Sequence, residues 1–238
     1  MDNRFTIRNS NASGLLPVYE RIVETMSVPK NGVYILLDDD EYLTPSYSSR
    51  YSKAFYMNIR IGGIEEMSPE HILRIMEKSD CEHFIWISPS TTNGDPFYAA
   101  WVLAHEAQHL LQDITYPELA KVGTFLRRAY PAVRADIELN QLDLPGELDC
   151  EVKAKEITTF LFGMESYENF VAKEGKMRGD IAVKYYKKLN ELEMTQSGYR
   201  EQTLLLLCRW KAQFIEQQNI LNQQSNRFDF DIMKLCGS

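Results

Sequence analysis

The segment Trp101–Leu111, WVLAHEAQHLL, constrains this chain most, because it sets three polar side chains into an otherwise apolar helical run. His105 and His109 stand at i and i+4, one turn apart on one helix face, so both imidazoles can reach a single metal ion. Glu106 is offset around the helix and can address a water on that ion. Between Asp95 and Asp113 the only formal charge is Glu106, amid Phe97, Tyr98, Trp101, Val102, Leu103, Leu110 and Leu111. The helix is therefore expected to be buried on most sides. A buried carboxylate is costly unless it is paired or serves a cation, and a reading of the two histidines as mere core residues leaves Glu106 unexplained.

The rest of the chain supplies a setting for that helix. Gly32–Leu37, Ala54–Ile61 and Cys81–Ser88 read as strands, and helices are expected over 14–26 and 68–78, the latter opened by Ser68-Pro69-Glu70. Pro89–Gly94 reads as a polar loop. Asp95-Pro96 then starts the active-site helix, 96–113, by a cap followed by proline. Beyond it the signals are almost wholly helical, over 117–128, 146–162, 180–193 and 199–223, with breaks expected at Tyr130-Pro131 and Leu144-Pro145. The apolar run Leu204–Cys208 reads as a buried helix segment. The expected fold class is α+β: a small N-terminal mixed sheet with helices, and a largely helical C-terminal half.

A tetrahedral catalytic zinc site needs a third protein ligand and keeps its fourth position for water. His71 and His83 are read as belonging to a surface helix and to the start of a strand. The acids of Leu144–Ala154 are better placed, since Pro145-Gly146 opens a helix on which Glu147 and Glu151 stack one turn apart. Asp149 and Glu156 lie elsewhere on that helix, and Asp113 follows His109 by four residues. Helical stacking alone does not choose between Glu147 and Glu151.

In these residues the chain resembles the gluzincin-type zinc metallopeptidases, over about 82–162. His105, Glu106 and His109 match the HExxH motif. Glu147 matches the third ligand, and Glu151 stands where an orienting acid would be. The run Glu147-xx-Cys150-xxx-Ala154 is similar to an ExxAxxxA pattern, with Cys150 in place of the first Ala. The metzincin extension is excluded, because Gln112 and Thr115 occupy its glycine and histidine positions. The resemblance implies a zincin-like fold, with a metallopeptidase domain over 1–175 and a helical subdomain over 176–238. It also implies one Zn²⁺ per chain held by His105, His109 and Glu147, and a strand at Phe84–Ser88 along which an extended peptide pairs.

The expected chemistry is hydrolysis of a peptide or protein substrate. A zinc ion lowers the pKa of its bound water towards 7, Glu106 takes that proton as general base, and the proton passes to the leaving amine. Tyr98, Tyr116, Tyr167, Tyr185, Tyr186, Tyr199 and several arginines are candidate oxyanion donors, and the sequence does not choose among them. Two other readings use the same residues: a catalytically silent or regulatory metal-binding protein, and a hydrolase of a non-peptide amide.

Composition removes other classes. With 26 Lys+Arg against 34 Asp+Glu the net charge is -8 and the pI about 5.1, so neither nucleic acid nor an acidic membrane surface is expected as a partner. No stretch reaches the roughly 18 apolar residues of a membrane span, and the N-terminus offers no continuous apolar h-region. A cytoplasmic location is expected, with Cys81, Cys150, Cys208 and Cys236 as reduced thiols. Asp38–Glu41 reads as a hydrated turn.

Overall fold

The structure, a computed structural model, describes residues 4–8, 10–37, 54–58, 81–92, 95–137, 143–191, 196–224 and 228–237. The turn Asp38–Glu41, the helix expected over 68–78 and His71 lie outside the described residues. The fold class is α+β, a four-stranded sheet with many helices. The chain forms two compact units, residues 1–111 with 153–191 and residues 112–152 with 192–238.

The first unit contains the sheet. Strands β1 (Phe5–Ile7), β2 (Val33–Leu37), β3 (Ala54–Asn58) and β4 (His83–Ile87) lie in the order β1-β2-β4-β3. The pairs β1–β2 and β2–β4 are parallel, and β3 joins β4 antiparallel, with Tyr56 opposite Ile85 and Asn58 opposite His83. Because side chains alternate across a strand, the register gives each face its residues. Leu36, Met57, Phe84 and Trp86 cluster on one face, with Tyr34 and Phe55 against them. The opposite face carries Phe5, Ile35, Tyr56, His83 and Ile85, and the Phe5 ring packs on Tyr19 of helix α1 (Leu16–Thr25). Every residue of β4 is buried, as expected of a strand covered on both faces. Phe84–Ile87 is therefore interior to the sheet, flanked by β2 and β3, and its backbone cannot offer the free edge expected of Phe84–Ser88. Among the described residues the edge strands are β1 and β3.

Pro89–Gly94, expected as loop, begins with the short helix α2 (Pro89–Thr92). The long helix α3 (Pro96–Thr115) starts as its sequence dictates: Asp95 Oδ1 accepts from Phe97 N at 2.9 Å, capping the first turn. Ala99, Ala100, Leu103, Ala104, Ala107 and Leu110 on it are fully buried. Helix α5 (Pro145–Phe162) leads through Gly163, at φ 87°, into α6 (Met164–Arg178) and α7 (Asp180–Glu191). A positive φ is a turn that glycine makes without strain. Within this unit Phe97 and Trp101 of α3 pack among Phe162, Tyr167, Phe170 and Tyr186.

The second unit is helical. Helix α4 (Pro117–Ile137) runs through Pro131, so the break expected at Tyr130-Pro131 is absent. The exposed ring of Pro131 forfeits one backbone bond, and Val122, Phe125, Leu126, Ala129, Val133 and Ile137, all buried, hold the helix to the core on both sides of it. The helix expected over 199–223 is two, α8 (Gln196–Arg209) and α9 (Lys211–Gln224), separated by a turn at Trp210. Leu204–Cys208 is helical, but only Leu207 is buried and Leu205 is 68% exposed, so the expected buried segment is a single buried position.

The C-terminal segment folds back on this core. Phe228 and Phe230 pack on Phe125, and Gln218 Nε2 donates to the carbonyls of both, at 2.7 Å each. Asn222 exchanges two hydrogen bonds with the Phe228 backbone, and Asp229 pairs with Lys121. Asp231 caps α10 (Ile232–Leu235) through Met233 N at 2.9 Å. This return brings Cys236 to Cys208, joined as a disulfide with a Cα–Cα distance of 5.2 Å. The expectation of four reduced thiols is corrected: Cys208 and Cys236 are oxidised, and Cys81 and Cys150 are not in a disulfide.

Candidate metal centre

His105 and His109 are both carried by α3. One helical turn separates them, and their rings meet edge to face with centroids 5.0 Å apart. His109 is buried and His105 half-buried, while Glu106 between them is half-buried. The buried alanines and leucines of the same helix anchor its other faces, which fixes the direction in which the imidazoles point.

Tyr56 of the sheet lies against this helix. The Tyr56 ring lies nearly parallel to that of His109, at 6.4 Å and 17°, and to that of His83, at 6.1 Å and 20°. Its hydroxyl is 2.9 Å from His83 Nδ1. His83, the first residue of β4, is buried, which agrees with its expected place at the start of a strand.

Gln112, Asp113, Glu147, Asp149 and Glu151 belong to the second unit. Gln112, in the last turns of α3, donates Nε2 to Gly146 O at 3.0 Å and to Asp149 Oδ2 at 2.8 Å. Glu147 is buried on the first turn of α5, and its Oε1 accepts from Arg127 Nη1 at 3.4 Å. Arg127 Nη2 also reaches Thr124 Oγ1 at 3.2 Å. Burial alone would lower the Arg127 pKa. Glu147, then Cys150, Asp113 and Tyr199, more than offset that and raise it, so the guanidinium stays charged. Arg127, Glu147, Gln112, Asp113, Gly123, Gly146 and Tyr199 line a small pocket. Among the described residues the buried Tyr199 hydroxyl has no hydrogen-bond partner, and burial first, then Cys150, pushes its pKa well above the ordinary phenol value. A Cβ on Gly123 would stand 3.2 Å from that hydroxyl, which leaves little room there for any residue but glycine. Glu151 is half-buried one turn beyond Glu147, and Glu156 is exposed and paired with Lys153 at 2.5 Å.

Among the described residues, His105, His109 and Cys150 form a group that could hold a metal ion, each offering one ligand atom, with those atoms within 4.8 Å of one another. Cys150 is fully buried. As a ligand it was missed in the sequence because it has no histidine near it along the chain. The available signal was helical: it lies three residues after Glu147, hence on a neighbouring part of the same face. Glu147 and Glu151 are not in that group. No protein-family model, curated protein or solved structure matches the chain.

Proposed function

We propose that this protein is a zinc-dependent metallopeptidase of gluzincin-like, zincin type. The observation that carries the reading is the pair of ring-to-ring histidines on α3 with Glu106 between them, grouped with a third donor. The donor types favour zinc, since imidazole and thiolate ligands overlap in their preference for it. A zinc ion held there would acidify a water and polarise an amide carbonyl. Glu106 takes up the proton that the attacking water releases and returns it to the leaving amine. The third donor comes from α5: Glu147 is the residue the motif resemblance assigns, and Cys150 is the residue grouped with the histidines.

Cys150 favours a second reading. A thiolate transfers more charge to a metal than a carboxylate does, and structural zinc sites draw on Cys and His donors. That chemistry suits a regulatory metal-binding protein without turnover. Glu106→Gln separates the two. In a metallopeptidase the substitution leaves bound zinc and folding unchanged and lowers peptide hydrolysis at least ~100-fold, within the usual reach of a general base. The readout is the appearance of new N-termini in a peptide library with the wild type, lost on chelation and regained with zinc. Metal-loaded wild type that produces no more of them than Glu106→Gln would sink the peptidase and leave the regulatory reading.

A further inference from the structure

We infer that Tyr56 is a positioning residue for His109, and that His83 holds it in that role. The inference rests on the reading of His109 as a metal ligand. It extends that reading to two residues outside the motif, on strands that the motif does not touch.

The geometry is a stack of three rings from three elements. His83 comes from β4, Tyr56 from β3 and His109 from α3, and Tyr56 lies within 20° of coplanarity with each neighbour. Tyr56 and His83 are diagonal neighbours across the antiparallel β3–β4 pair, since Tyr56 faces Ile85 and Asn58 faces His83. Diagonal side chains on one face are within reach of each other when they are aromatic. The backbone register therefore fixes where the phenol starts, and the hydroxyl to Nδ1 bond of 2.9 Å fixes where it ends.

A metal-binding histidine needs that kind of support. Rotation about χ2 of His is broad, so an imidazole without neighbours samples ring planes that do not direct a lone pair at the ion. Partners around a ligand that hold its orientation are commonly worth 10 to 100-fold in metal affinity. On His109 the face of Tyr56 restrains the ring plane. Tyr56 can do so because its own ring is tied at both ends, by the strand at Cα and by His83 at the hydroxyl. His83 is buried, so water does not compete freely for that bond. The arrangement also explains why the sheet needs a histidine at the first position of a strand that is otherwise wholly apolar.

The test uses the purified full chain, with zinc competed by a chromogenic chelator and cobalt(II) as a spectroscopic probe of ligand geometry. Tyr56→Leu removes the ring and should weaken zinc binding by about 10 to 100-fold, with a changed cobalt absorption band. Tyr56→Phe keeps the ring and loses only the hydroxyl, so its loss should be smaller than that of Tyr56→Leu, while its cobalt band should still differ from the wild type. Folded Tyr56→Leu protein with wild-type affinity and band would overturn the inference. If Tyr56→Leu does not fold, Tyr56→Phe decides, and an unchanged cobalt band in that variant overturns it. Wild type that takes up neither metal would instead defeat the metallopeptidase reading. The stack is then judged on metal-free protein, where Tyr56→Phe should shift the His109 ring-proton resonances and an absence of shift counts against it.

Discussion

The two units bury their cores by different means. In residues 1–111 with 153–191, strands distant in sequence pair into a sheet whose central strand is covered on both faces, and a helix rich in buried alanine and leucine lies within the same unit. In residues 112–152 with 192–238, helices meet around Phe125, Phe214 and Phe228, and a terminal segment is fastened over them by side-chain hydrogen bonds and a disulfide. A sheet closes its own backbone bonds. A short C-terminal segment has few partners of its own and depends on cross-links to stay ordered. The difference teaches where each unit is vulnerable: the first to changes in packing, the second to loss of its ties.

The largest expected effect tests those ties. The disulfide spans a sequence separation of 28, for which constraint of the unfolded chain contributes about 3–4 kcal/mol in the chain-entropy account. Cys208→Ser, or reduction of the wild type, should lower stability by about that amount in a urea titration. It should also expose the 228–237 segment to protease before the residues of the sheet. Equal loss of protection in both units would break the comparison.

A smaller effect is expected at Arg127. Arg127→Met leaves the buried Glu147 carboxylate without its guanidinium, and with that cation partly exposed the cost should be about 2 kcal/mol, below that of a fully buried pair. Thermal unfolding followed by near-UV circular dichroism checks it. A neutral outcome would mean that the other groups around Glu147 satisfy it alone.

The smallest effect compares a like feature in each unit. Tyr19 and Tyr199 are both buried, their hydroxyls have no hydrogen-bond partner among the described residues, and burial raises both pKa values. A raised phenol pKa favours the protonated form in the folded chain. Its contribution is thus complete below the unfolded value near 10 and is lost as pH rises from there towards the folded value. Wild type should lose stability above about pH 10, and Tyr19→Phe and Tyr199→Phe should each flatten that loss. Near neutral pH each substitution should be neutral or stabilising by up to about 1 kcal/mol, since it removes an unpartnered polar atom. Denaturant midpoints at neutral and alkaline pH measure both, and a marked loss near neutrality would reveal a partner for the hydroxyl.

Much of the first unit was legible in the sequence. Alternating and β-rich runs marked β2, β3 and β4, and the Asp95-Pro96 pair marked the start of α3 within a residue. Strand β1 was not legible, because three residues carry no period and only their pairing with Ile35–Leu37 makes them a strand. The interior place of β4 was hidden for the same reason, since order within a sheet is set by partners and not by the strand itself. In the second unit the errors were opposite in kind. Pro131 suggested a break that flanking apolar contacts override, and nothing around Trp210, which has neither glycine nor proline beside it, marks the turn that does occur. Of the group that could hold a metal, the histidines were legible because helix geometry alone sets their spacing. Cys150, Tyr56 and the Cys208–Cys236 bond were not, because each depends on a partner far away along the chain.

The sheet's connectivity bears on how the molecule is made. Its central parallel pairing joins residues 33–37 to residues 83–87, and its antiparallel edge joins 54–58 to the same strand. Closing loops of that length carries an entropic cost before any contact rewards it, and non-local pairings of this kind slow folding. Helix α3, whose bonds are local, can form on the microsecond scale. The imidazoles therefore exist as a pair on a helix early, and His109 meets the Tyr56 ring only when the slow sheet closes.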